Sequence, residues 1–325
     1  MTEVVVVSVV IPVFNRAGLI EATLNSVQAQ TYRPLEIVVV DDGSTDNTAD
    51  VVQGWASANS DDSLVVRYVR QEKQGANTAR NRGITESTAP FVAFLDSDDR
   101  WLPEKLAKQL AKMQSSEQMG GVYCGLCTLD LTSGETQPVM KREYPTGDLR
   151  AEMLIRDVSN PTSCWMVRKS CFDEVGNFDT SLPARQDWDM WIRLASKYRI
   201  GCVPEVLVEM GEHPGERVRS DPSREIAAHK TIFKKYADLR SRLPFWVSLA
   251  ARSAMYRRRG RVCLHRKGLR LRAAGLQSLA ILVWPFNFDS YAALMGVIIP
   301  AGLRSRIHVM WNRVFGKTAL GIRSH

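Results

Sequence analysis

The sequence contains no uninterrupted apolar run of about 20 residues, the length that a membrane-spanning helix requires. Its first residues, MTEVVVV, lack a basic segment followed by a cleavable apolar one, so we expect no secretory signal and a cytoplasmic location. The six cysteines are scattered, and the CxxC pair Cys124 and Cys127 has neither a second pair nor a nearby histidine. We therefore expect ordinary buried thiols rather than a zinc site.

Acidic residues are almost absent from the last hundred residues of the chain. Residues 226–325 carry 19 Lys and Arg against two Asp and Glu, whereas residues 1–225 carry 24 against 33. These counts correspond to net charges of about +17 and about −9. We predict a first domain over residues 1–223 and a basic helical region over residues 224–325.

The basic region has two open interpretations. Its helices, with Trp246, Trp284 and Trp311, are suited to an anionic membrane surface, and the alternative is that they pack on the first domain. No recognisable nucleic-acid-binding module accompanies the basic residues, so nucleic acid is not an expected partner.

Apolar runs and helical repeats alternate over the first hundred residues. Strands are predicted at Val4–Val13, Leu35–Val40, Leu64–Val69 and Phe91–Leu95, with helices between them. Near-continuous runs of Val and Ile are typical of strands that are buried on both faces of a parallel sheet. This order predicts an α/β fold with a Rossmann-like, mainly parallel sheet flanked by helices.

The pattern is weaker after residue 120. Residues 120–175 predict shorter strands and loops, including a strand at Cys164–Val167 and a short helix at Lys169–Val175. Asp187–Lys197 has the apolar spacing of an amphipathic helix.

Polar residues follow three of the predicted strands. Asn15 follows the first strand, Asp41 and Asp42 the second, and Asp96 and Asp98 the strand that begins at Phe91. A single Asp after a strand is commonly a turn former or helix cap, but two clusters on one sheet edge favour a ligand site. Asp96 and Asp98, two residues apart, can direct their carboxylates at one oxygen-rich site suited to Mg²⁺ or Mn²⁺.

Four motifs make the pattern specific. They are VSVVIPVFNRAGLIEATLNSVQAQTY, PLEIVVVDDGSTDNT, QGANTARNRGI and FVAFLDSDD, in this order. Over residues 5–220 the chain resembles the family 2 glycosyltransferases of the GT-A fold. The resemblance implies a nucleotide-diphosphate sugar donor, with a UDP-sugar favoured, a divalent cation (Mn²⁺ or Mg²⁺) and inversion at the anomeric carbon.

The resemblance assigns the nucleoside contacts to two loops. Pro12, Val13 and Phe14 match the family's first loop, and Asp41 matches the carboxylate that binds the base, a role that Asp42 could share. The alternative for Phe14 is a place in the core.

Three further residues are expected around the diphosphate. Arg80 resembles the family's arginine near the nucleotide, Asp96 is expected near the ribose, diphosphate and metal, and Asp98 is expected to bind the metal. A surface ion pair is the alternative for Arg80. Where relatives often have Asn, this chain has Lys73, whose ammonium would approach a phosphate or point into water.

Two later motifs concern the reaction itself. RQDWDMW resembles the motif that supplies the catalytic base, with Gln186 at a position where Glu is common, so Asp187 is the expected base and Asp189 its rival. Capping of a helix is the alternative role of Asp187. The segment EHPG resembles the family's closing segment, in which a histidine, here His213, approaches the metal or diphosphate.

Together these features predict an inverting enzyme that transfers a sugar to a hydroxyl of a saccharide or lipid-linked acceptor. The chain lacks the Gln-x-x-Arg-Trp signature of processive synthases, so we expect a single transfer, in cell-surface polysaccharide or glycolipid biosynthesis. A peripheral place on the cytoplasmic face of the membrane would suit such an acceptor. The alternative is a catalytically silent nucleotide-sugar-binding subunit, whereas the lack of an early Gly-rich loop disfavours a pyrophosphorylase.

Overall fold

A computed structural model describes residues 5–137, 143–156, 160–212, 222–264, 269–286, 290, 291 and 294 of the chain. In chain order the strands are β1 (Val7–Val13), β2 (Leu35–Asp41), β3 (Leu64–Arg70), β4 (Phe91–Phe94), β5 (Arg100–Trp101), β6 (Met119–Asp130), β7 (Thr136–Gln137), β8 (Trp165–Arg168) and β9 (Arg199–Glu212). The helices are α1 (Ile20–Gln28), α2 (Thr48–Asn59), α3 (Ala76–Glu86), α4 (Lys105–Gln114), α5 (Arg150–Ile155), α6 (Ser170–Val175), α7 (Gln186–Lys197), α8 (Pro222–Lys235), α9 (Ala237–Ser241), α10 (Phe245–Leu264) and α11 (Arg270–Val283), with a 3₁₀ turn at Thr162–Cys164.

The strands form one sheet in the order β3-β2-β1-β4-β8-β6-β9-β5, and β7 pairs with β6. β1 is parallel to β2 and β4, and β2 is parallel to β3. β8 lies antiparallel between β4 and β6, and the long ladder between β6 and β9 is again parallel. The α/β fold with a mainly parallel sheet is therefore confirmed.

Every residue of β1 and β2 is buried, as the runs of Val and Ile predict. Helix α3 packs closely on this part of the sheet, because at Gly83 an alanine Cβ would lie 2.3 Å from a methyl carbon of Val10. β1 begins at Val7, where its pairing with Leu35 and Phe91 begins, and the predicted start at Val4 lies outside the described residues.

The strand predicted at Cys164–Val167 and the helix predicted at Lys169–Val175 are present as β8 and α6. The long strand β6 was not predicted, and its pairing with β9 shifts register around Gly121 and Gly125. An alanine Cβ at Gly125 would lie 2.6 Å from the carbonyl oxygen of Glu205, and one at Gly120 would lie 2.5 Å from Cβ of Tyr198. Glycine weakens the strand signal in the sequence, but here it permits the close approach of neighbouring segments of the same chain.

Contacts divide the chain into two compact units. The first consists of Met1–Met153, Val158–Leu182 and Gln186–Val218, and the second of Leu154–Asp157, Pro183–Arg185 and Arg219–His325. Helices α8 to α11 belong to the second unit. Because α8 begins at Pro222, the predicted boundary after residue 223 falls in its first turn, and that boundary stays a prediction. Among the described helices, none is long and apolar enough to cross a bilayer.

Candidate active site

The carboxyl ends of β1, β2, β3 and β4 meet at one edge of the sheet because these strands are parallel. At this edge, open α/β sheets bind their ligands. The last residues of these strands, the loops that follow them and helix α3 contain the residues that the sequence assigns to the donor.

The loop after β1 is anchored to the loop after β2. Asn15 has a positive φ of 50°, its backbone N–H donates to Ser44 Oγ at 2.9 Å, and its side-chain oxygen accepts from the Thr45 N–H at 2.8 Å. Pro12 and Val13 are the buried last residues of β1, whereas Phe14 is half-buried. Both loops are therefore held in fixed positions beside each other.

The ammonium of Lys73 lies 3.8 Å from the centroid of the Phe14 ring. Lys73 is exposed, so its charge is accessible while its contact with the ring orients it. This contact joins the loop after β1 to the loop after β3.

The Asp41 carboxylate is buried and accepts hydrogen bonds from the Ser44 N–H, at 2.7 Å, and from the Tyr68 hydroxyl. Burial, together with this bond to Asp41, raises the pKa of Tyr68 to about 12, so that the phenol stays protonated and donates. Asp41 thus already has internal partners, and a contact with the base of the donor stays a prediction.

Asp42 braces the loop after β3. Its carboxylate accepts from Gln71 Nε2 at 2.8 Å and from the backbone N–H groups of Gln74 and Gly75 at 2.8 and 2.7 Å. Asp42 is also buried. These bonds assign it a structural role in the loop that leads into α3; its share in binding the base stays a prediction.

Arg80 on α3 connects its helix to the end of β4. Its guanidinium donates to Asn77 Oδ1 at 2.8 Å and forms a close ion pair with Asp96 Oδ1. The Nε atom is buried and has no hydrogen-bond partner. Arg80 is therefore a buried arginine whose ion pair with the partly exposed Asp96 orients that carboxylate, and its role at the nucleotide stays a prediction.

Asp98 lies in the tight turn after β4, where the Asp99 N–H donates to the Asp96 carbonyl at 3.0 Å. A carboxylate oxygen of Asp98 is 3.7 Å from the guanidinium of Arg16. The Asp96 and Asp98 side chains are 31% and 27% exposed, so both are accessible to a ligand and each faces an arginine.

Asp99 anchors this turn from the buried side. Its carboxylate accepts from the Ser163 hydroxyl at 2.5 Å and from the Gly211 N–H at 3.0 Å, and Ser163 Oγ in turn accepts from the Asp96 N–H at 3.0 Å. Burial raises the pKa of Asp99 well above its usual range, and the nearby charge of Asp96 raises it further. The turn is thus fixed by residues on β9 and before β8.

A buried lysine, Lys105, begins helix α4, a few residues after the Asp96–Asp99 turn. Lys105 is fully buried, with its ammonium 3.8 Å from the centroid of the Trp101 ring and 2.7 Å from Gln109 Oε1. Burial lowers the pKa of Lys105 to about 8. The indole N–H of Trp101 donates to the Ser163 carbonyl at 2.9 Å, which connects this cluster to the anchor of the Asp96–Asp99 turn.

Asp187 lies in the first turn of α7, half-buried, and accepts from the Trp188 N–H at 2.8 Å. The rival residue, Asp189, is fully buried and its carboxylate pairs with Arg193 at 3.0 Å. Asp187 is therefore the more accessible of the two carboxylates. Its role as the base stays a prediction.

The segment before α7 is fixed from two sides. Arg193 donates to the carbonyl oxygens of Val175, Gly176 and Asn177. The side chain of Asn81, next to Arg80 on α3, donates to the Phe178 carbonyl at 2.9 Å and accepts from the Phe178 N–H at 2.9 Å. Helix α3 thus connects to Asp96 and also to the segment that leads to α7.

Comparison with known proteins agrees with this arrangement. The model of the family described as Glycosyl transferase family 2 matches residues 8–176, which is slightly more than half of the chain. The chain belongs to that family.

Three relatives illustrate the range of similarity within the glycosyltransferases. An uncharacterized glycosyltransferase of Rickettsia conorii is 31% identical over 213 residues, which are 64% of this chain and 34% of that protein. Putative teichuronic acid biosynthesis glycosyltransferase TuaG of Bacillus subtilis is 42% identical over 107 residues (33% and 41%). GalNAc(5)-diNAcBac-PP-undecaprenol β-1,3-glucosyltransferase of Campylobacter jejuni is 40% identical over 106 residues (32% and 33%). The chain spans less than half the length of each of these relatives.

Two solved structures share the fold. TarS of S. aureus in complex with UDP-GlcNAc has a TM-score of 0.63 and 18% identity over 96% of this chain and 88% of its own. The mannosyltransferase PcManGT of Pyrobaculum calidifontis, in complex with GDP-Man and Mn²⁺, has a TM-score of 0.53 and 19% identity over 95% and 81%. At these identities the likeness establishes the GT-A type of fold alone.

The carboxylates on the turn after β4 fit a divalent cation. Within the described ranges, no group of three or more His, Cys, Asp or Glu side chains lies together to hold a metal by itself. Asp96 and Asp98 are nevertheless accessible carboxylates on one turn, and Mg²⁺ and similar cations are commonly held by one or two carboxylates with substrate phosphates and water. His213, the third predicted ligand, lies outside the described residues.

The sequence interpretation missed several residues of this site. Arg16 and Asp99 belong to two of the four family motifs, and their charge next to the end of a strand was the only sign in the sequence that they contribute to the site. Asn81 also lies in a quoted motif, next to Arg80. Ser163 had no local signal, because its partners are more than 60 residues away in the chain.

Proposed function

We propose that this family 2 glycosyltransferase transfers a sugar from a nucleotide-diphosphate donor, with a UDP-sugar as the first candidate, to a hydroxyl acceptor with inversion. The observation that carries the proposal is the pairing of two accessible carboxylates, Asp96 and Asp98, with two arginines, Arg80 and Arg16, at the carboxyl edge of the sheet. Such an array offers both charges that a cation–diphosphate complex requires.

On the donor side, we assign the cation to Asp98 and Asp96, with His213 as a third candidate ligand, and the nucleoside to Pro12, Val13, Phe14 and the Asp41–Asp42 loop. When bound, Mn²⁺ or Mg²⁺ supplies positive charge against the leaving diphosphate. Arg80 keeps Asp96 oriented through their ion pair. Arg16 is close enough to Asp98 to contact a phosphate that approaches the same carboxylate.

On the acceptor side, we assign the base to Asp187. Its carboxylate accepts the proton of the acceptor hydroxyl as that oxygen forms a bond with the anomeric carbon. The bond between the anomeric carbon and the diphosphate oxygen breaks on the opposite face, and the electron pair leaves with the nucleoside diphosphate. Asp189 is an unsuitable base because it is fully buried and paired with Arg193.

Two relatives support a place in cell-surface glycan biosynthesis. TuaG is named for teichuronic acid biosynthesis, and the Campylobacter enzyme is named for an undecaprenol-linked acceptor. We propose for this chain a saccharide or lipid-linked acceptor and a single transfer. A lipid-linked acceptor would place the protein peripherally on the cytoplasmic face of a membrane.

The test compares three variants for binding and turnover separately. Asp98→Ala should abolish Mn²⁺-dependent UDP binding, whereas Asp187→Asn should retain it and lose donor hydrolysis or transfer by about 100-fold or more. Asp238→Asn, which changes a carboxylate that is 75% exposed, is the control and should behave as the wild type.

Titration calorimetry measures the binding, and release of UDP from a panel of UDP-sugars measures the turnover. Tight UDP binding by the wild type without turnover on any donor, and with a verified acceptor, would instead identify a silent binding subunit. Full activity of Asp187→Asn would remove Asp187 from the mechanism.

A further inference from the structure

Helices α10 and α11 form a pair whose shared seam is made mainly of small side chains. The small buried residues are Ala250, Ala251, Ser253, Ala254 and Gly260 of α10 with Ala273 and Ala280 of α11. The Ser253 hydroxyl donates to the Ala280 carbonyl at 2.7 Å, and an alanine Cβ at Gly260 would lie 2.5 Å from Gln277 Nε2. The two helices therefore approach closely along this part of the seam. At one end of it, Cys263, Ala273 and Leu276 form a buried cluster against which Tyr256, Leu264 and Leu269 pack.

Several large apolar side chains of this pair are exposed. Nine large apolar residues are exposed in the part of the chain that the structure describes, and six of them lie between residues 245 and 286. They are Phe245 (78% exposed), Trp246 (40%), Leu271 (90%), Leu279 (45%), Leu282 (77%) and Phe286 (67%). A helix pair in water buries most of its large apolar residues, so this many exposed ones indicate a surface that a partner covers.

Three of these residues share one face of α11. The spacings from Leu271 to Leu279 and to Leu282 place all three within an arc of about 80° around the helix. Arg270 and Arg272, which are also exposed, lie at about 100° on either side of Leu271. An apolar stripe bordered by arginines is typical of a helix that lies in a membrane interface.

The charge of the pair indicates the partner. Residues 245–264 and 269–286 contain seven arginines and neither Asp nor Glu. An anionic lipid surface complements both properties, because its headgroups attract the arginines and its acyl boundary accepts the leucines and aromatic rings. A nucleic acid would satisfy the arginines but would leave the leucine stripe in water.

We infer that the α10–α11 pair binds the surface of an anionic lipid bilayer, with the stripe Leu271, Leu279 and Leu282 in the acyl boundary. The arginines beside the stripe contact the headgroups. The helices lie along the surface and do not cross it, since none of the described helices meets the length and hydropathy of a span. The α10–α11 pair would thus be the part of the protein that contacts the membrane at the proposed peripheral location. This inference does not depend on the proposed sugar-transfer reaction.

The test is flotation of the full chain with vesicles in the absence of donor. One set of vesicles is phosphatidylcholine, and the other contains equal parts of phosphatidylcholine and phosphatidylglycerol. Binding to the anionic set should exceed binding to the neutral set and weaken with added salt. The double variant Leu279→Glu/Leu282→Glu should lower the affinity by more than about tenfold, and Arg270→Gln/Arg272→Gln by about fivefold per arginine.

The matched control is the double variant Val65→Glu/Val206→Glu, which adds the same two negative charges at apolar residues that are 40% and 44% exposed on β3 and β9. It should bind vesicles as the wild type does, and thermal unfolding should show that all variants are folded. Equal binding of the leucine variant and the control would overturn the inference, as would failure of the wild type to bind anionic vesicles. Loss of arginine-dependent binding upon addition of duplex DNA, with no effect of the leucine change, would assign the surface to a nucleic acid instead.

Discussion

Replacement of Gly211 by alanine should disturb the Asp96–Asp99 turn, which contains the proposed metal ligands, without changing the side chain of any of them. The added Cβ would lie 2.1 Å from the carbonyl oxygen of Asp98 and 3.2 Å from its carbonyl carbon. Real Cβ contacts essentially never fall below 3.0 Å, so β9 and the turn must separate by about 0.9 Å. The same movement strains the bond from the Gly211 N–H to Asp99.

The expected magnitude follows from this displacement. Overpacking at a rigid position costs about 1–3 kcal/mol of stability. A displacement of roughly 1 Å at a reacting group costs about 100-fold in rate, so we expect kcat/KM to fall by about two orders of magnitude. The Mn²⁺-dependent affinity for UDP should fall as well, because Asp96 and Asp98 belong to the displaced turn.

Calorimetry of UDP binding with and without Mn²⁺, urea unfolding and donor turnover together measure these effects. Gly54→Ala is the matched control, because Gly54 lies in α2 and its added Cβ would meet nothing within 4 Å. That variant should bind UDP normally and gain up to about 1 kcal/mol of stability. Wild-type affinity and turnover in Gly211→Ala would refute the idea that β9 holds the turn in its working position.

Two further predictions concern the buried cations. Arg80→Lys should keep the fold but lower UDP affinity about tenfold or more, because one ammonium cannot reproduce the two guanidinium bonds, one to Asn77 and one to Asp96, that fix Asp96 relative to α3. Arg82→Lys on the same helix is the control, and equal affinities of the two variants would contradict the expectation. Burial lowers the pKa of Lys105 in the folded state to about 8, below its value of 10.5 in the unfolded chain. Between these two pH values the unfolded chain binds one proton more than the folded chain. The free energy of unfolding should therefore rise by up to about 3 kcal/mol as the pH increases from 8 to 10.5. Urea unfolding across this range should show that rise in the wild type and in Lys108→Met but not in Lys105→Met, and a rise in Lys105→Met would assign it to another group.

The order of strands and helices up to residue 100 followed from the sequence because each signal there is local. Continuous Val and Ile runs such as Val7–Val13 specify buried strands, and the polar residues after them specify the loops at one sheet edge. The long pairing of β6 with β9 was not predicted. The glycines of β6 resemble loop residues in the sequence, and only the folded structure shows that they allow a neighbouring segment to approach closely.

The individual roles of the acidic residues could not be predicted from the sequence either. Asp96, Asp98 and Asp99 have similar sequence signals, yet two are accessible and the third is a buried anchor bonded to Ser163 and Gly211. Asp187 and Asp189 are likewise indistinguishable by composition, and burial beside Arg193 separates them. Burial and partner choice depend on residues brought close only by folding.

The sequence by itself determined the α/β fold, the family and the sheet edge that presents the polar loops, because hydrophobic periodicity and turn chemistry act over a few residues. Only the tertiary structure decided which carboxylate faces which arginine and which one anchors the turn. It also decided that the buried residues of α10 and α11 are mostly small and that several of their large apolar residues are exposed. Each of these outcomes depends on contacts between residues that are distant in the chain, such as Asp99 and Gly211. Such contacts form, and contribute to stability, only after the chain has folded.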